Sequence, residues 1–446
     1  MLVGMLLLVV GSVLQPVGAR ASEVSQSSSV AGHVDVAVFK LPITPISAQY
    51  FDRVLKAAEE DGAVAVVFQI DTPGGLVDSM QEIVKRTLAS KVPVVMYISP
   101  RGAQSASAGV FLVYAAHVAA MAPQTRIGSA EVLLNAGNDQ GSGTPESGDQ
   151  AALRRKVTND LVSLIRELAT HRGRDPDFGE QAVRQSKNLG ADEALKVKVV
   201  DVIASSVPEL LDKIDGRKVD VDGEQVTLKT KDAPTNQVPM TWVEQILLVI
   251  TDPSVAFVLI SLGTLGITWE FINPGAVFPG VIGAIMLLVG FLALGTLPIN
   301  AAGLAFMILA FVLFIADVFM PTHGILTAGG IASLVMGGLL LVNTTNAPGL
   351  PGVSPYTVAG VAAGLGGFFF FAVYKVFQAR RMRPTTGREG FLGQMAETRT
   401  ELAPEGMVFL NGELWRAVST EGPVPAGRTV RVVGAEGLML SVKPET

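Results

Sequence analysis

Two stretches of small residues carry the chemistry this chain could do: Asp71-Thr72-Pro73-Gly74-Gly75 and, further on, Ser105-Ala106-Ser107-Ala108-Gly109. A Gly-Gly turn between a strand and a helix exposes backbone N–H groups at the positive end of the helix, where an anion or an oxyanion is held. Neither GxxxxGK[ST] nor GxGxxG is present, which disfavours phosphate as the anion. In an open parallel sheet, sites form at the carboxyl ends of strands, so two neighbouring strand ends bearing Gly-Gly and Ser-Ala-Gly can face one cleft. A serine there could attack a carbonyl whose oxygen sits between two backbone donors, an acyl-transfer geometry. Taken singly, each stretch also has a plain explanation, since small residues permit close helix–sheet packing and serine is a common N-cap.

A serine nucleophile needs a base. Of the four histidines, His117 is expected in the helix that starts at the serine, more than roughly two turns along its axis, and so as a packed helix residue. His33 precedes the α/β segment, His171 ends a helix and His323 falls in an apolar region, so no Ser-His-Asp set forms. A lysine can serve if burial keeps its amine neutral. Lys156 follows the long polar stretch Gly128–Gln150 and could take that part, but with Arg154 and Arg155 beside it the three read better, on the residues alone, as a solvated first turn.

The elements that must position these groups are legible from patterning. "VDVAVF", "AVAVVFQI" and "VPVVMYIS" are short runs rich in β-branched residues, as buried parallel strands are. Between them "SAQYFDRVLKAAEEDG" and "LVDSMQEIVKRTLAS" place apolar residues three and four apart, as crossover helices do. The helix "AALRRKVTNDLVSLIRELATHRG" follows the polar stretch and ends at Gly173. This is an α/β domain, expected over 33–235.

Composition bounds the rest. With 446 residues the chain has room for two or three domains. It has no cysteine, which excludes disulfides, thiolate nucleophiles and Cys-ligated zinc, and its few scattered histidines make a His-rich metal site improbable. A net charge of −6 argues against nucleic acid as a partner. The opening "MLVGMLLLVVGSVLQPVGARAS" reads as a secretory signal over 1–21, cleaved or retained as an anchor, and the Ser-rich segment 22–32 as a linker.

After a second expected linker, 236–253, the character changes. Between Pro253 and Lys375 the only formal charges are Glu270 and Asp317. Gly and Pro divide this membrane region, 254–377, into about five spans near 254–271, 276–296, 300–320, 324–343 and 355–376, each close to the ~20 residues a bilayer crossing needs. The first is the weakest, being short and ended by Glu270 and Asn273-Pro274, and its plainer reading is an interfacial or re-entrant segment. The basic cluster Lys375, Arg380, Arg381 and Arg383 belongs on the cytoplasmic side. An odd number of spans then puts the α/β domain outside the cell membrane and the tail inside, in agreement with the signal peptide, whereas four spans after an exported α/β domain would put the tail outside. From 388 to 446 short alternating segments, with Asn411-Gly412 as a hairpin turn, suggest a small all-β, OB-like barrel.

Read together, "DTPGG", "ASAG", "MAPQTRIGSA", "KVTNDLVSLIRELATHRGRD", "GADEALKVKVVDVIA", "EFINPG", "GELWRAVS" and "AGRTVRVV" resemble the long form of the NfeD membrane-bound serine protease family, relatives of ClpP and of SppA-type signal peptide peptidases. The resemblance covers nearly the whole mature chain. It implies three parts: an α/β domain of ClpP/crotonase-like fold, an all-α polytopic membrane region and an OB-like NfeD domain. It also implies a Ser-Lys dyad, with Ser107 as nucleophile, Lys156 as general base and the backbone N–H groups of Gly75 and Ala108 as oxyanion hole. Ser99 and Ser105 are left structural roles, and no metal or nucleotide cofactor is needed. The implied substrate is a hydrophobic peptide or membrane-protein segment, the implied partner a stomatin-like (SPFH) protein, and the expected assembly a homo-oligomer, at least a dimer. The competing expectation is a catalytically silent scaffold that binds such partners. Acyl-CoA chemistry is disfavoured by an external domain with little access to CoA, and transport by the scarcity of intramembrane charge.

Overall fold

The computed structural model describes residues 32–131, 148–272, 275, 277–320, 322, 324–342, 351–381 and 388–445. The expected signal peptide 1–21, all but the last residue of the linker 22–32, and loop residues 132–147 lie outside the described residues, as does His323. The chain divides into two compact units, the first ending at Gly366 and the second beginning at Gly367.

The α/β part contains strands β1 (Val34–Phe39), β2 (Ala65–Ile70), β3 (Val94–Ile98), β4 (Gln104–Ala106), β5 (Val118–Met121), β6 (Arg126–Gly128), β7 (Asn188–Gly190), β8 (Val202–Ile203), β9 (Lys218–Val221), β10 (Glu224–Thr227) and β11 (Thr235–Gln237). Its helices are α1 (Pro45–Asp61), α2 (Val77–Leu88), α3 (Ala108–Ala115), α4 (Gly148–Arg172), α5 (Pro176–Gln185), α6 (Ala191–Lys196) and α7 (Val207–Ile214). The main sheet has six strands in the order β11-β1-β2-β3-β5-β8, every pair parallel. Parallel strands are covered on both faces, which is why β2 and β3 are almost wholly apolar. Phe39, Phe68 and Met96 point into a core shared with α1 to α5, while Val36, Val67 and Tyr97 point to the opposite face, against α7 and the β9–β10 hairpin. A second, three-stranded sheet of order β4-β6-β7 stands apart from the first.

The segment expected as a linker, 236–253, carries structure. Thr235–Gln237 pairs with β1 as an edge strand, and Trp242–Ile250 forms a helix, α8. The strand is short and polar, so only its long-range pairing reveals it.

Among the described residues five apolar helices follow: α9 (Pro253–Ile272), α10 (Val277–Leu294), α11 (Ala301–Phe319), α12 (Ile325–Leu340) and α13 (Pro355–Arg381). The first two are long and apolar enough to cross a membrane, and the span that looked weakest is therefore a full helix. Ala301–Asp317, Ile325–Leu340 and Pro355–Phe371 are shorter apolar helices. α9 and α10 meet through glycine: a Cβ on Gly283 would lie 2.6 Å from the Gly263 carbonyl oxygen, so the two backbones touch. Asp317 accepts hydrogen bonds from the hydroxyls of Thr322 and Thr327, which satisfies its carboxylate.

The second unit holds a closed five-stranded barrel of β12 (Met395–Thr398), β13 (Glu405–Leu410), β14 (Glu413–Ser419), β15 (Thr429–Glu436) and β16 (Met439–Pro444), in the order β12-β13-β14-β16-β15. Asn411 and Gly412, both at positive φ, turn the β13–β14 hairpin. Val408, Leu410, Val430, Val432 and Leu440 fill its interior.

Candidate active site

Asp71–Leu76 leaves the end of β2, and its course is fixed by Ile43. Ile43 donates its N–H to the Gly74 carbonyl at 2.7 Å, and its own carbonyl accepts from the Leu76 N–H at 2.8 Å. In a parallel bridge of this kind the N–H and C=O of the intervening residue, Gly75, point away from Ile43. The close approach explains the glycine: a Cβ at Gly75 would stand 2.1 Å from the Ile43 oxygen. Gly74, at φ +110°, has Ser107 as its neighbour on the other side, where a Cβ would lie 2.5 Å from Ser107 Cβ and 3.0 Å from its Oγ.

Ser107 is not at the end of β3, where two neighbouring strand ends were expected to meet. β3 ends at Ile98, the chain turns, and the short strand β4 of the smaller sheet delivers the serine instead. β4 is tied to the Gly-Gly segment through Thr72, whose N–H donates to the Gln104 carbonyl at 2.8 Å and whose carbonyl accepts from the Ala106 N–H at 3.1 Å. The Asp71 carboxylate adds a bond from the Gln104 N–H at 3.1 Å. The Gly-Gly turn and the serine are thus brought together as expected, by a different strand.

Ser107 itself adopts φ 54°, ψ −123°, outside the regions open to residues with a Cβ. Such a conformation costs about 1–3 kcal/mol and persists only where surroundings enforce it. Here the Ser107 N–H donates to the carbonyls of Gly128 and Ser129, both at 3.1 Å. The next N–H, that of Ala108, opens α3, where the first turn has no intrahelical acceptor. Neither it nor the Gly75 N–H has a hydrogen-bond acceptor among the described residues. The side chain of Ser107 is half-buried, on a sharp strand-to-helix turn beside two backbone donors. That arrangement suits attack on a carbonyl.

Lys156 lies in α4, whose Leu161, Val162 and Ile165 enter the main core. Its own side chain is exposed and makes no hydrogen bond or ion pair with Ser107. Among the described residues, His117 and His33 do not replace it. His117 lies beyond the end of α3 rather than within it, because the chain turns extended at Ala116; it is buried, and its Nδ1 accepts the Val94 N–H at 3.1 Å. Burial, with Arg172 and Arg174 nearby, pushes its pKa down to about 3. His33 sits 3.3 Å from Asp35, on β1. Among the described residues no cluster of His, Asp and Glu is placed to hold a metal.

One feature was missed from the sequence. Beside β4 is a cavity of ≈ 340 Å³, lined by Gln104, Ser105, Ala106, Arg126, Gly128, Ser129 and Asn188. Arg126 donates to Gln104 Oε1 at 2.8 Å and Asn188 Nδ2 to Ser129 Oγ at 2.7 Å. All of these residues but Ser129 lie on three-residue strands, too short to show a period.

Comparison with known proteins adds to this geometry. Three family models match in chain order: "NfeD1b, N-terminal domain" over residues 38–223, "NfeD integral membrane domain" over 254–375 and "NfeD-like C-terminal, partner-binding domain" over 388–444. The membrane-bound protease PH1510 of Pyrococcus horikoshii is 35% identical over 427 residues, covering 92% of this chain and 93% of that protein. The membrane protein NfeD1b of Bacillus subtilis is 25% identical over 430 residues, 89% of each chain. Among solved structures, a lysine-to-alanine mutant of the 1510-N membrane-bound stomatin-specific protease, in complex with a substrate peptide, is 34% identical; the match covers 50% of this chain and 99% of that one, with a TM-score of 0.45.

Proposed function

Because the chain belongs to the NfeD family and is an integral membrane protein of that family, we propose that it is a membrane-bound serine endopeptidase acting on hydrophobic, membrane-proximal peptide segments. The observation that carries this reading is the strained Ser107, held against Gly74 at the start of α3, with the N–H groups of Gly75 and Ala108, which have no acceptor among the described residues, beside it. Ser107 Oγ attacks the scissile carbonyl, and the two N–H groups receive the oxyanion. Lys156 acts as general base, taking the serine proton and returning it to the leaving amine before water releases the acyl-enzyme. For this its exposed amine must move to Ser107 and lose water, the condition under which a lysine stays neutral. Apo geometry of catalytic hydrogen bonds is commonly loose and tightens around substrate.

Similarity to a protease named as stomatin-specific, and a C-terminal domain matching a partner-binding family, support a stomatin-like partner. The α/β domain is proposed to face the exterior and the barrel the cytoplasm, on the strength of the basic flank at Lys375 to Arg383.

The test is hydrolysis of a panel of hydrophobic peptides by the full chain in detergent, compared with Ser107→Ala and Lys156→Ala. Loss in both variants, with folding intact by circular dichroism, supports the dyad. Loss in Ser107→Ala alone keeps the protease and removes Lys156 as base. Silence of all three, also in lipid vesicles, favours the scaffold reading, for which the exposed position of Lys156 speaks.

A further inference from the structure

The helix α8, Trp242–Ile250, falls between the N-terminal and membrane family models and belongs to neither. Its inner side is fastened to the α/β domain. Glu244, buried, accepts from Arg53 Nε at 2.7 Å and Arg53 Nη2 at 2.9 Å, and Arg53 also bonds the Pro239 carbonyl at 2.8 Å. The same carboxylate closes the capping box with Thr241, accepting its N–H at 2.7 Å. Such a bidentate arginine pair fixes orientation as well as position.

The outer side is apolar and bare. At about 100° per residue, Trp242, Val243 and Ile246 fall on one face, opposite Glu244. They are 74%, 44% and 48% exposed. A patch of this kind on a water-facing helix is costly and calls for a cover.

The chain itself names the cover. Only Thr251 and Asp252 separate α8 from Pro253, where the first membrane helix begins, so α8 ends within about 11 Å of chain from that helix. Tryptophan at such a boundary is the residue type that sits at headgroup level. The third side of α8, Gln245, Leu248 and Val249, lines a cavity of ≈ 400 Å³ with Leu41 and Pro42, which precede the Ile43 that bridges to Gly75, and with Leu297, three residues beyond α10.

We infer that α8 is a membrane-interface helix whose Trp242, Val243 and Ile246 lie in the lipid headgroup layer, and that the Arg53–Glu244 clamp seats the α/β domain on the bilayer surface through it. The occupant of the bare face is lipid, because that face is continuous with the membrane region. The inference does not depend on proteolytic activity.

The absence of cysteine in the chain makes the test direct. Nitroxide labels at Val243→Cys and Ile246→Cys, in the full chain in phosphatidylcholine–phosphatidylglycerol vesicles, are compared with one at Asp192→Cys, an exposed residue of α6. The ratio of collisions with oxygen to collisions with a water-soluble nickel chelate should be several-fold higher at 243 and 246 than at 192. A ratio equal to that at 192 would place the face in water. Shielding from both quenchers would place a protein surface on it, a second copy first among them, and either result overturns the inference.

Discussion

Adding one methyl group at Gly74 tests the site more finely than deleting the hydroxyl. In Gly74→Ala the new Cβ would meet Ser107 Cβ at 2.5 Å, and the φ of +110° disfavours any residue but glycine. The serine must shift, and a displacement of about 1 Å at a reacting atom can cost ~10²-fold in rate. Peptide hydrolysis should fall by about that factor while partner binding is kept; full activity in Gly74→Ala would remove the Gly74–Ser107 contact from the mechanism. A second residue-scale prediction concerns acid. His117 has its folded-state pKa lowered to about 3 by burial, whereas an unburied histidine titrates near 6.5. Between these limits the unfolded chain binds more protons, so stability is intact above pH 6.5 and lost as pH falls, by up to about 1.4 kcal/mol per pH unit. Replacing it with asparagine, whose Oδ1 can still accept the Val94 N–H, should flatten the fall in melting temperature between pH 6.5 and pH 4 relative to wild type; an unchanged slope would place the acid sensitivity elsewhere. At this scale the nearness of the Ser-Ala-Gly stretch to the Gly-Gly turn was legible in their residue types, while the choice of Ser107 among the serines rested on the family resemblance. The strain at Ser107 was not legible, since it is imposed by the Gly128 and Ser129 carbonyls, and the exposure of Lys156 follows from which face of α4 the core selects.

At the scale of elements, the same economy of small residues governs the membrane hairpin. Gly263, Gly266 and Gly283 let α9 and α10 touch, and a Cβ at Gly283 would come within 2.6 Å of the Gly263 oxygen and 2.9 Å of the Ile267 nitrogen. Backbone atoms cannot give way as a side chain can, so Gly283→Val should part the helices. Overpacking of this kind costs typically ~1–3 kcal/mol, and should appear as a lower melting temperature and greater protease sensitivity of the membrane region in detergent; wild-type stability would mean the helices are not in contact there. Helices such as these are legible because long apolar runs and their glycine breaks are local. α8 was passed over as linker because "WVEQILLVI" is too short to span, and what defines it is the pairing of Glu244 with Arg53, distant in sequence. β4, β6 and β7 escaped for the related reason that three residues carry no period, although together they set the course of the chain into Ser107.

On the scale of the whole molecule, the question is which functions separate. The barrel is closed, so it has no free edge through which to complete another sheet, and its interior residues, among them Val408, Val430 and Leu440, all come from within residues 396–442. The α/β domain has its own two cores on the faces of its sheet, built without any residue of the barrel. Stability in each part therefore rests on its own burial. Truncation after Arg381 should then leave hydrolysis of a soluble hydrophobic peptide unchanged while abolishing capture of a stomatin-like partner, the role its match to a partner-binding family suggests. The comparison must be made in one detergent and scored on both readouts, because a general loss of folding would lower them together. Retained partner binding would move recognition to the membrane region or the α/β domain. Loss of hydrolysis in a truncated chain that still unfolds cooperatively would mean that the barrel acts on the Ser107 site, a coupling that separate cores do not predict.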